Sequence, residues 1–146
     1  MIVCHLPFGP TAYFSLKDVI ARHDLPKHGL HHISEQTPHL IFNNFSTLLG
    51  ERVTRILKYL YPVIDDKQKH KIRRVLSYSN VNDFIVFRHH IYRKVSGNTD
   101  IDLIEIGPRF TMRLYQIKLG TLEQKEAATE WVLRPHFNTA WKRKAL

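Results

Sequence analysis

A single cysteine, Cys4, stands among 146 residues. No disulfide can form within the chain, which excludes a cross-linked scaffold and fits a reducing compartment. Glycine is scarce, at six residues, and no Gly-x-x-x-x-Gly-Lys run occurs. The phosphate-cradling loop of nucleotide hydrolysis is therefore missing. Gly-x-Ser-x-Gly is absent as well, so there is no nucleophile elbow. No apolar stretch approaches the roughly 20 residues of a membrane span. The opening residues 1–7, Met-Ile-Val-Cys-His-Leu-Pro, carry no charged leader. Neither an amphipathic basic helix nor a lipidation signal points to a membrane surface. Negative charge is also scarce: thirteen Asp and Glu face twenty-two Lys and Arg, leaving +9. Net charge does not set a fold but does bear on partners. So basic a chain gains affinity for polyanions by counterion release, and nucleic acid leads the candidates.

What is present has the composition of a globular chain of one domain, 43% hydrophobic and 11% aromatic. Strands are expected at 2–6, 11–20, 39–45, 73–79, 101–106, 109–119 and 129–134, where β-branched and aromatic residues alternate with polar ones. Residues 84–93 suit a helix through Phe84, Phe87, Arg88 and Ile91, but their aromatic and β-branched density favours a strand. Residues 21–38 read as a His-rich loop, 65–72 as a charged connector and 96–98 as a turn. One helix is clear, at about 47–61. Leu49, Val53, Ile56, Leu57 and Leu60 make its apolar stripe, Ser46 is placed as N-cap, and Pro62 ends it. Many strands and one helix predict an α+β fold built on a mixed sheet.

The most informative stretch is 107–119. A Gly-Pro corner precedes Arg109, and then Phe110, Met112 and Leu114 alternate with Thr111 and Arg113. Such a strand is apolar on one face and basic on the other, the form of a sheet that binds RNA. Beyond it the apolar parity passes to Tyr115, Ile117 and Leu119, which predicts a bulge or burial of both faces. Three basic runs add to the excess. They are Lys67, Lys69, Lys71, Arg73 and Arg74; Arg88, Arg93 and Lys94, interleaved with Phe87 and Tyr92; and Lys142, Arg143 and Lys144. Arginine beside aromatic residues allows phosphate contact together with base stacking. Either short run also suits nuclear import.

The chemical alternatives are thinner. His28, His31, His32 and His39 cluster, but Cys-x-x-Cys is absent and Cys4 is remote, so no metal set is assembled. His89 and His90 are strand neighbours whose rings point to opposite faces, one into the core and one outward. Arg22-His23-Asp24 places a base beside a carboxylate without making a triad. A hydrolase or metal enzyme using His28, His31, His32 or Asp24 is the weakest reading. A protein-docking module using Trp131, Trp141 and the helix is the alternative to RNA binding.

Several blocks together carry a resemblance. They are His-Leu-Pro-Phe-Gly-Pro-Thr-Ala-Tyr-Phe from His5, Arg22-His23-Asp24, Pro-His-Leu-Ile from Pro38, Phe-Arg-His-His-Ile-Tyr from Phe87, Glu-Ile-Gly-Pro-Arg-Phe from Glu105 and Leu-Gly-Thr-Leu-Glu-Gln from Leu119. Over nearly its whole length the chain resembles the Brix-domain family of ribosome-assembly factors. The resemblance implies a domain of two related α/β halves, similar to anticodon-binding domains. This chain would correspond to the second half (residues 1–140, with a basic tail at 141–146), exposing apolar surface that a first half would cover. It also implies nucleolar, nuclear work within the small-subunit processome. The implied partners are U3 small nucleolar RNA, precursor ribosomal RNA, an M-phase phosphoprotein scaffold and a smaller Imp-class protein. No catalytic residue, cofactor, metal, membrane or small-molecule substrate is implied. Screening phosphates would help two RNA strands pair. Arg88, Arg109 and Arg113 are the expected phosphate contacts, supplemented by Lys69, Lys71, Arg73 and Arg74, with Tyr92 or Tyr115 stacking on bases. For Arg109 a second role stays open, bracing the turn through Glu105.

Overall fold

The computed structural model describes residues 1–25, 37–63, 73–94, 101–134 and 145–146. Among them the alternating segments form eight strands: β1 (Ile2–Cys4), β2 (Thr11–Ile20), β3 (His39–Asn43), β4 (Arg74–Val81), β5 (Phe84–Lys94), β6 (Ile101–Glu105), β7 (Arg109–Lys118) and β8 (Thr129–Val132). One helix, α1 (Leu48–Lys58), follows β3. The strands share one sheet in the order β1-β2-β7-β5-β4-β3, with β6 also paired to β5 and β8 to β7. β3 and β4 run parallel and the remaining pairs antiparallel. A parallel return needs a long crossover rather than a tight turn, and the segment containing α1 supplies it. The mixed α+β sheet read from the sequence is thus the observed architecture, and 84–93 resolves as strand.

A row of aromatic rings fixes the register. Phe42 pairs with Tyr78, Tyr78 with Phe87 and Phe87 with Phe110, across four neighbouring strands. Their ring centroids are 5.0, 5.1 and 4.5 Å apart, the first and last pairs stacked. This row lies on the face that packs against α1, together with Ile85, Leu76, Met112 and Leu114. The Tyr78 hydroxyl is 2.9 Å from that of Tyr61. Burial first, and this contact second, push its pKa up.

The helix is shorter than its sequence pattern suggests and is capped one residue later. Thr47, not Ser46, is the N-cap, and its Oγ1 accepts from the Gly50 N–H at 3.0 Å. Thr47 has an extended backbone that lets its hydroxyl turn toward the free amides of the first turn. Val53, Ile56 and Leu57 are buried as expected, whereas Leu60 lies past the helix end and is half exposed. Gly50 is buried too, because a Cβ there would stand 3.2 Å from the backbone of Phe45 and Leu146. Leu146 inserts into the core. Asp83 Oδ1 accepts from the N–H groups of Ala145 and Leu146 at 2.8 and 2.9 Å, and Asn80 Nδ2 donates to the Leu146 carbonyl at 3.0 Å. Residues 141–144 lie outside the described residues.

Several strand ends differ from expectation. β1 stops at Cys4 and β3 at Asn43, while β4 runs on to Val81. There Asn82 and Asp83, both at positive φ, make the two-residue hairpin into β5. In β7 the register slips opposite Tyr13 and Phe14, so a bulge sits at Tyr115. The predicted parity switch is real but partial: Ile117 is buried, while Tyr115 and Leu119 are exposed. At the Gly107-Pro108 corner, Gly107 has φ +60 and a Cβ would strike Leu25.

Truncating the centre of the aromatic row should be costly. Phe87→Ala is expected to lose about 3–5 kcal/mol in urea denaturation, the range for a large buried ring. A loss below about 1 kcal/mol would show that the row does not hold the sheet.

Candidate nucleic-acid interface

Because strand side chains alternate, each inward aromatic dictates outward neighbours. With Phe87 and Phe110 inward, Arg88, Arg109, Thr111 and Arg113 face outward. The same parity carries Tyr13, Ser15 and Lys17 outward on β2, where Ala12 and Phe14 are buried. Cross-strand pairs assemble them: Ser15 with Arg113, Lys17 with Thr111, Thr111 with Val86 and Ser77 with Arg88. Lys17 Nζ and the Arg113 guanidinium each lie 5.2 Å from the centre of the Phe84 ring. Beside them the Tyr13 and Tyr115 rings meet at 5.8 Å. Arg88 donates from Nη1 to the Phe87 carbonyl at 3.0 Å. Arg73, exposed just before β4, accepts the Tyr92 N–H on its carbonyl at 2.9 Å, and alternation from Ser77 and Arg88 puts both at the far end of the same face.

The candidate residues therefore divide. Arg73, Arg88, Arg113, Tyr92 and Tyr115 share the outward face. Arg109 is on it too, but its Nη1 donates to Glu105 Oε2 at 3.1 Å, so its charge is matched. This is the turn-bracing role left open for it. Glu105 Oε1 is buried with no hydrogen-bond partner, and the ion pair is what compensates that carboxylate. Arg74 has the opposite parity and lies on the core side, its Nε donating to His89 Nε2 at 3.3 Å. Burial pulls its pKa down. Lys69 and Lys71, with Lys67, lie outside the described residues, as do the side chains of Arg93 and Lys94. Sequence reasoning missed Lys17, Phe84 and Tyr13. The alternation in 11–20 could have exposed Tyr13 and Lys17, but their approach to β5 and β7 residues depends on pairing.

Cations on the two faces are compensated to different extents, with Lys58 of α1 the one helix cation that has no carboxylate partner among the described residues. On the helix side Arg52 binds Glu130 through two bonds of 2.9 Å, and Arg55 lies 3.8 Å from Glu51. On the sheet face Lys17, Arg88 and Arg113 have no carboxylate partner among the described residues.

The histidine pair behaves as alternation requires: His89 is buried and His90 half exposed. His89 Nδ1 lies 2.8 Å from the Gly107 carbonyl, so it carries the proton, leaving Nε2 to accept from Arg74. Burial above all lowers the His89 pKa to about 4. Nearby positive charge at Arg74 adds to this, and the Gly107 bond opposes it. The other chemical candidates come apart. His28, His31 and His32 lie outside the described residues, and His39 is exposed on an edge strand. No group of three or more His, Cys, Asp or Glu among the described residues is placed to hold a metal ion. His23 pairs with Asp24 at 3.4 Å in an exposed turn. His5 Nε2 donates to the Ile56 carbonyl at 2.8 Å, away from Cys4, whose Sγ is 3.2 Å from Thr11 Oγ1. Trp131 is partly buried and packs against the core, and Trp141 lies outside the described residues. No described helix is long and apolar enough to cross a membrane.

Comparison with known proteins finds a family match to the Brix domain over residues 1–116. A Brix domain-containing protein of Caenorhabditis elegans is 54% identical over 98% of this chain and 47% of its own length. The U3 small nucleolar ribonucleoprotein protein IMP4 of Homo sapiens is 51% identical over the same shares, and that of Yarrowia lipolytica 50% identical over 98% and 48%. The chain thus spans about half the length of the curated relatives it matches.

Two outcomes follow from the geometry. Arg109→Ala should lower the melting temperature by about 2–4 °C, the equivalent of roughly 1 kcal/mol in a chain of this size, by leaving Glu105 uncompensated; an unchanged melting curve would rule the brace out. His89 titrates near 6.5 when unfolded and about 4 when folded. The unfolded chain therefore takes up the proton first. Stability from this group is full above about 6.5 and declines as pH falls toward 4. Urea midpoints at pH 7.5 and 4.5 should drop further for the native sequence than for His89→Gln. Equal drops would contradict a buried neutral imidazole.

Proposed function

The chain belongs to the Brix-domain family, and on that premise we propose that it is a non-catalytic, RNA-binding factor of ribosome assembly. Its setting is the U3 small nucleolar ribonucleoprotein of the nucleolus, where it helps U3 RNA pair with precursor ribosomal RNA before early processing. The relatives' names support the setting. The observation that carries the RNA-binding part is the contrast in charge: Lys17, Arg88 and Arg113 on the sheet face have no carboxylate partner among the described residues, while Arg52 and Arg55 on the helix side do. Uncompensated cations beside exposed rings suit a polyanion whose bases can stack. The proposed mechanism is phosphate screening: cations on one rigid face lower the repulsion between strands as they pair. Arg109, tied to Glu105, contributes more to the corner than to this field.

A second reading, docking to a processome scaffold with little RNA affinity of its own, draws on exposed apolar residues. Leu6 and Phe8 in the β1–β2 turn are 82% exposed and Leu48 is 87% exposed.

Anisotropy titrations of the full chain with a U3-derived RNA, across a salt series, separate the readings. RNA binding predicts an affinity that falls steeply with salt, and at least tenfold weaker binding by Arg88→Glu. Salt-insensitive weak binding, unchanged in Arg88→Glu, would favour docking.

A further inference from the structure

Lys17 and Arg113 come from different strands yet converge on one ring. Each cation is 5.2 Å from the centre of Phe84, and neither has a carboxylate partner among the described residues. Two like charges gathered at one ring raise the local positive potential. The ring attracts both but cancels neither. An anion between them relieves the repulsion, taking a point charge from the ammonium and a fork of N–H donors from the guanidinium. Packing on Phe84 restricts both long side chains beforehand, so less freedom is lost on binding.

The neighbouring residues indicate which anion. The Tyr13 and Tyr115 rings, 5.8 Å apart, sit at the adjoining end of the same two strands, with Ser15 between them and Lys17. Tyr115 reaches this face by the same alternation as Arg113, and the bulge beside it sets Gln116 opposite Tyr13. From Tyr13 to Lys17 the strand advances about 13 Å at ~3.3 Å per residue, and RNA-binding sheets use such outward aromatic side chains to stack bases. Rings at one end and cations at the other match the alternation of base and phosphate along a single strand. A duplex offers the phosphate but keeps its base faces stacked internally.

We propose that Lys17, Arg113 and Phe84 form a subsite for one phosphate of single-stranded RNA, with the Tyr13–Tyr115 pair receiving an adjacent base. This rests on the RNA-binding reading above and names the part of the platform that tells single strands from duplexes.

The test uses the full chain with a fluorescein-labelled oligouridylate and, separately, a labelled RNA duplex, each across a salt series. Lys17→Ala combined with Arg113→Gln should weaken single-strand binding about tenfold or more. It should also reduce the slope of log affinity against log salt by about 0.7, the value for one phosphate on a single strand, because the two cations share one phosphate. Tyr115→Ala should weaken single-strand binding about tenfold with the slope unchanged, and should leave duplex binding nearly intact. Far-ultraviolet dichroism should be unaltered, since these side chains are outside the core. Should the double variant bind like the native chain while Arg88→Glu binds poorly, the subsite is wrong and the broader reading survives. Failure of the native chain to bind either RNA would overturn both.

Discussion

The aromatic row Phe42, Tyr78, Phe87 and Phe110 is the constraint from which the rest of the structure follows. It joins four strands through their inward faces, including the parallel pair whose register no hairpin sets. Strand periodicity is two, so a slip of one residue would send Phe87 outward and Arg88 into the core. Burying Tyr78 and Phe87, with Phe42 and Phe110 packed against them, makes that slip expensive. The same constraint therefore decides which cations meet solvent: the core does not merely support the basic face but selects its members.

Beyond this row, polar groups secure places where the chain must turn. Arg109 and Glu105 brace the corner between β6 and β7, and the Gly107 carbonyl is held by the buried imidazole of His89. Asn80 and Asp83 collect backbone groups from Asn44, Ala145 and Leu146. Each contact satisfies groups that burial would otherwise leave unpaired. Two of the basic residues, Arg74 and Arg109, take part in this internal bonding, with His89 and Glu105.

Much of this was legible before the fold was known, and the limits have physical causes. The alternation in 109–114 placed Arg113 outward, because local periodicity alone determines it. The order of 84–93 was ambiguous because short apolar runs fit either period; pairing with β4 on one edge, and with β6 and β7 on the other, settles it as strand. The cap moved from Ser46 to Thr47 because both residues have suitable hydroxyls and only the backbone direction selects one. Arg74 shares a basic run with Arg73 in sequence, but one residue of parity turns it to the core side, beside His89. Lys17 was overlooked because the ring that gathers it, Phe84, lies far away in sequence, and no local pattern records that approach.

We propose that RNA lies on the outward sheet face, where Lys17, Arg88 and Arg113 lack acidic partners among the described residues, and not on the helix side. Photocrosslinking a bound RNA and mapping the modified residues tests this most directly, since exposed aromatic residues occur on both sides of the molecule. Adducts are expected at Tyr13, Phe84 or Tyr115. Adducts confined to Tyr59, at the end of α1, or to Phe8, in the β1–β2 turn, would contradict it.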